Sequence, residues 1–152
     1  MDREDHRRTA AETFNRCREL LENGNRTDED NRELLTLTFV SRYRWMFAGA
    51  EEQMIIGDWM VSRAAATIGE AHLAVRFAQR AYDRAQEADV PDWLGASVCE
   101  GLARAHAANG DLALRKQWYE TAGDLVERIE DHESKALIAD QLDSVPRSPF
   151  GG

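Results

Sequence analysis

The sequence predicts an all-α fold: antiparallel helical hairpins, about seven helices in all, stacked as a short solenoid. Three observations carry this. Apolar residues recur at three- and four-residue spacing through nearly the whole chain, the signature of one buried helical face. Glycine, asparagine and proline punctuate that pattern at intervals of one helix length, at Asn23-Gly24-Asn25, Gly49, Gly69, Pro91 and Asn109-Gly110. No run of Val, Ile and Thr alternates with polar residues, so strands have no support.

The first helix is predicted over 3–23, with Phe14, Cys17, Leu20 and Leu21 on one face and its first residues frayed. Thr27 is a good N-cap for the second, and Asp28, Glu29 and Asp30 suit the positive end of its dipole. That helix ends in Ser41–Phe47, the most aromatic-rich segment of the chain. The third and fourth, 50–68 and 70–88, form one hairpin about Gly69. The stripe of the fourth runs Leu73, Ala74, Phe77, Ala78, Ala81 and Ala85. Pro91 opens the fifth helix, 92–109, and Gly110 separates it from the sixth, 111–130. A shorter seventh covers 132–143. These helices make one domain, 1–143. The segment 144–152, with two prolines and two glycines, is expected to be a disordered tail.

Gly69 and Gly110, 41 residues apart, superpose two copies of one unit. In that register Leu73 meets Leu114, Phe77 meets Trp118, Ala81 meets Ala122 and Val61 meets Leu102. Such periods mark helical repeat arrays, in which each hairpin buries its apolar face against the next. At these positions the chain resembles the tetratricopeptide-repeat family. That motif often has a glycine at the turn inside the hairpin, then a small residue, an aromatic and an alanine along the second helix. Here the glycines are Gly69 and Gly110, the small residue is Ala74, the aromatic is Tyr119, and the alanines are Ala81 and Ala122. The chain departs from the motif at Arg115, at Phe77 (one position off), and in its longer period. The resemblance covers 50–88 and 92–129; the hairpin 3–47 joins by analogy. The whole chain also looks like uncharacterised small helical-repeat proteins of high-GC bacteria, a likeness that adds no activity.

Composition bounds the function. With 28 acidic and 19 basic residues the net charge is −9, which repels nucleic-acid phosphates and anionic lipid. No window is apolar for long enough to cross a bilayer, and the charged start Met1–His6 has no signal-peptide core, so a cytoplasmic location is expected. Cys17 and Cys99 read as reduced, buried thiols. The sequence has no Gly-rich phosphate loop, nucleophile elbow or Cys-x-x-Cys, and none of His6, His72, His106 and His132 sits in a metal-binding motif. No catalytic residue, cofactor or metal is therefore assigned.

The resemblance implies that the first helix of each hairpin lines a concave groove. Carried onto the two matched copies, the groove positions are Trp59 and Arg63 in one, and Ser97, Glu100 and Arg104 in the other. Glu100 and Arg104 are four apart and share a face. Taken alone they read best as a solvated helix salt bridge. With Arg63 and Trp59 beside them they describe a polar groove with an aromatic wall, where arginine would hold a carboxylate. A second candidate is Arg42, Tyr43, Arg44 and Trp45. The plainer reading there is an aromatic core stripe with arginines at a helix C-terminus; the functional one is an anion- or peptide-binding edge.

The expected function is thus a protein- or peptide-binding module, its partner presenting a carboxylate. The alternative is a small helical enzyme or small-molecule-binding protein of a biosynthetic pathway, using Glu100, His106 or Tyr43 as polar groups. A homodimer covering an apolar end of the array is compatible with both.

Overall fold

The structure, a computed structural model, describes residues 1–150. It is all-helical, with α1 (Arg3–Glu22), α2 (Asp28–Ala48), α3 (Glu51–Ile68), α4 (Ala71–Glu87), α5 (Asp92–Ala108), α6 (Leu112–Glu127) and α7 (His132–Asp143), and no strand among the described residues. Local chemistry sets the ends. Asp2 and Asp5 form a capping box, so α1 is held from Arg3 at a start where fraying was expected. Thr27 and Asp30 do the same for α2.

Helices adjacent in sequence pack as pairs, α1 with α2, α3 with α4 and α5 with α6. The first two pairs run antiparallel. Ser41 Oγ donates to the Ala10 carbonyl at 2.9 Å, and Arg3 near the start of α1 reaches the Ala48 carbonyl at the end of α2. In the next pair Ser62 Oγ donates to the Ala74 carbonyl at 2.8 Å, and Arg84 meets Glu51. The turns at Gly69 and Gly110 are the same structure. Each glycine has positive φ, 89° and 76°. Glu70 N donates to the Ala65 carbonyl and Asp111 N to the His106 carbonyl, the six-to-one bond of a Schellman cap. The equivalence extends to burial, since Val61 and Leu102, and Ala81 and Ala122, are all buried.

The most buried element is α5. It is buried without a break from Ala96 to Ala107 and packs on α3, α4, α6 and α7. Its small residues, Gly95, Ala96, Ser97, Gly101, Ala103 and Ala105, let neighbours approach closely on several sides.

The segment expected to be a disordered tail begins with packed residues. Val145 is buried, and Arg115 donates to the carbonyls of Pro146 (2.9 Å) and Val145 (3.4 Å). Residues 151–152 lie outside the described residues.

Candidate functional site

A cavity of about 380 Å³ opens between four helices. Phe14 and Arg18 of α1, Trp59 and Arg63 of α3, Ser97 of α5 and Leu137 of α7 are among its walls. The sequence-derived groove residues divide here. Trp59, Arg63 and Ser97 line the cavity, whereas Glu100 and Arg104 do not.

Glu100 lies behind the wall at 0% exposure. Its Oε1 accepts from Arg104 Nη2 at 2.8 Å and Nε at 3.3 Å, and Arg63 Nη1 stands 3.7 Å away. Two cations thus share one carboxylate. Arg104 is committed further, donating to the Gln141 carbonyl at 3.0 Å and to Ser144 Oγ at 2.7 Å, at the C-terminal end of α7. A cation there satisfies an end carbonyl and the negative end of the dipole. Ser97 Oγ meets Gln141 Oε1 at 3.3 Å, a second tie between α5 and α7. The solvated i,i+4 pair read from spacing is therefore a buried network that fixes α7.

Arg18 of α1 lines the cavity, and of the two arginines around Glu100 the one that also lines it is Arg63. Its Cζ lies 5.5 Å over the Trp59 ring, and its side chain is 24% exposed. Burial, then the nearby charge of Arg104, hold its pKa below the ordinary arginine value, against the opposing pull of Glu100. Trp59 packs on Gly101, where a Cβ would stand 3.1 Å from its Cδ1. Two buried polar atoms at this place have no hydrogen-bond partner, Trp59 Nε1 and Glu100 Oε2.

The four residues of the second candidate do not act together. Arg42 is drawn inward, Nε donating to Asp58 Oδ1 at 2.6 Å. Asp58, at 0% exposure, also faces Arg84 Nε at 3.4 Å. Trp45 is half-buried, while Tyr43 is 52% exposed. Four consecutive helical residues point four ways, so no single face could hold them.

Sequence reasoning missed Asp58 as an anchor, though a lone acid inside Ile55–Val61 was a signal. It also missed Arg18, Leu137 and Gln141, which no local spacing connects to Trp59. His106 is buried, and burial lowers its pKa while Asp111 opposes the shift; it lines neither the larger cavity nor a second one beside Gly69 and Pro149. No cluster of three His, Cys, Asp or Glu suited to a metal occurs among the described residues. No helix there is long and apolar enough to cross a membrane. Comparison with known proteins returned no relative: no family model, curated protein or solved structure matches the chain.

Proposed function

We propose that the chain is a tetratricopeptide-like solenoid that holds a peptide or partner-protein segment in the groove of its odd-numbered helices. One observation carries this reading: every residue lining the 380 Å³ cavity belongs to α1, α3, α5 or α7. That is the set of helices expected to line a groove when hairpins stack in register. The paired turns at Gly69 and Gly110 support the same stacking. Phe14, Ile56, Trp93 and Leu137 supply apolar walls for a side chain. Arg63, with only a share of Glu100, supplies a cation for a carboxylate on the bound segment.

A second reading, a small-molecule binder or small helical enzyme, draws on the same cavity. Its volume is within the range of small-ligand sites. The unpartnered Trp59 Nε1 and Glu100 Oε2 are groups a small polar ligand could engage. Tyr43 and His106, the other polar groups of that reading, line neither cavity.

Affinity capture from host lysate separates the two, comparing wild type with Arg63→Gln and with Leu137→Glu, each checked for unchanged thermal unfolding. Leu137 is 57% exposed at the cavity, so the charge should leave the fold intact. A protein retained by wild type and lost by both variants supports the groove. A small molecule released on denaturation and lost by both favours the second reading. Identical captures from all three overturn both.

A further inference from the structure

Opposite in composition to the rest of the chain is the surface shared by α2 and α4. Phe39, Tyr43, Met46 and Phe47 of α2 follow helical spacing along one face, and are 38%, 52%, 57% and 50% exposed. This ridge meets α4 where the Phe39 and Phe77 rings stand edge to face at 5.5 Å. Beside it runs a second stripe, His72, Arg76 and Arg80, one helical turn apart and all exposed. A chain with 28 acids among 152 residues has none in α2 after Glu33 and none in α4 before Asp83.

The cations of this face differ in availability. Arg42 and Arg84 are tied to Asp58. Arg76 and Arg80 are exposed and form no ion pair among the described residues, whereas Arg44 turns toward α1, its Nη1 3.0 Å from Met1 Sδ and 3.3 Å from His6 Nδ1. Arg80 lies over the Phe77 ring at 5.5 Å, so its guanidinium flanks the aromatic ridge.

We infer that this face docks an acidic amphipathic helix of a partner protein, its apolar stripe on Phe39, Tyr43 and Met46 and its carboxylates on Arg76 and Arg80. Anchors at positions i, i+4 and i+7 are what a helix seated along another helix presents. Charge complementarity selects the occupant. A second copy docked by the same face would set arginines against arginines. An anionic membrane or a nucleic acid would meet a protein of net charge −9 across a whole surface, where a helix meets only the basic face. The site is separate from the cavity, which no residue of α2 or α4 lines.

The probe is a synthetic helical peptide of about 18 residues, five turns, with Leu at i, i+3, i+4 and i+7 and Glu elsewhere. Its control replaces every Glu with Lys. Fluorescence anisotropy should show binding of the Glu peptide only, weakening with salt. Arg76→Glu/Arg80→Glu should reduce affinity at least about tenfold, as should Tyr43→Ser/Met46→Ser. Arg128→Glu, on an exposed position after α6, should not change it. Amide shifts should concentrate in 39–47 and 72–80. Equal binding of both peptides, no binding, or shifts centred on Ser97 and Leu137 would overturn the assignment. So would self-association through this face, or uptake onto phosphatidylserine vesicles in place of the peptide.

Discussion

Glu100 offers the sharpest test of the network behind the cavity. Glu100→Gln keeps the shape and removes the charge that Arg104, at 2.8 Å, and Arg63, at 3.7 Å, share. Arg104 is only 8% exposed, so its guanidinium cannot turn to water without breaking its bonds to α7. Removing one partner of a buried ion pair costs about 3–5 kcal/mol, because the remaining charge is uncompensated. Against a typical total of about 5–15 kcal/mol that is a large fraction. For a domain of this size it corresponds to a melting temperature lower by about 6–20 °C. An internal reference is Glu19→Gln. Glu19 pairs with Arg16 at 3.3 Å, but the two side chains are 67% and 47% exposed. Exposed pairs contribute less than about 1 kcal/mol. Differential scanning calorimetry of both variants decides the matter. A Glu100→Gln shift no larger than that of Glu19→Gln would refute the buried-network argument. The double variant Glu100→Leu/Arg104→Met should recover part of the loss, since it removes one stranded cation along with the carboxylate.

Gly69→Ala and Gly110→Ala should each cost about 1–2 kcal/mol by urea unfolding, the penalty of placing a Cβ at positive φ, whereas Gly57→Ala should stabilise by up to about 1 kcal/mol. Gly57 is inside α3, and its added Cβ would meet Arg42 Cγ at an ordinary 3.6 Å; equal effects at all three positions would contradict the turn geometry. Cys17 and Cys99 are buried and free, and burial pushes each thiol up to about 11. Neither should react with a thiol-disulfide reagent at about pH 8 until the protein unfolds, and rapid labelling of the native protein would disprove this burial. Burial lowers the His106 pKa, so the native state favours the neutral ring. Its contribution is complete above the unfolded value of about 6.5 and is lost as pH falls through the lower folded value. Urea midpoints between about pH 7 and pH 5.5 should therefore fall faster for wild type than for His106→Asn, and parallel slopes would exclude the effect.

Signals confined to one turn or one hairpin were legible in the sequence. Gly69 and Gly110 announce their left-handed caps because few other residues adopt positive φ readily. Thr27 announces the start of α2 because its hydroxyl and the Asp30 carboxylate satisfy backbone donors three residues apart. The centrality of α5 was present in its run of alanine, glycine and serine, but Glu100 and Arg104 at i,i+4 read as a solvated face. Long-range partners were not legible. Spacing alone pairs Arg104 with Glu100 and says nothing of Gln141 and Ser144, thirty-seven and forty residues on. Nor could periodicity tell that Tyr43 and Phe47 would face solvent, since an apolar stripe looks the same whether or not another helix covers it.

The burial of Glu100 and Arg104 bears on the cavity more than on stability. Apolar replacements of equal volume often stabilise a core as well as a buried ion pair does, because desolvation offsets the Coulombic gain. What leucine and methionine cannot supply is direction. Arg104 bonds a carbonyl and a hydroxyl at one end of α7, and Ser97 bonds Gln141 beside them. Those bonds fix the rotation and axial position of a twelve-residue helix that otherwise rests on α5 and α6 through Ile138 and Leu142. Leu137 and Gln141 of that helix line the cavity. The charged pair therefore holds one wall of the cavity from behind, and Arg63, the third member of the cluster, carries positive charge to its surface.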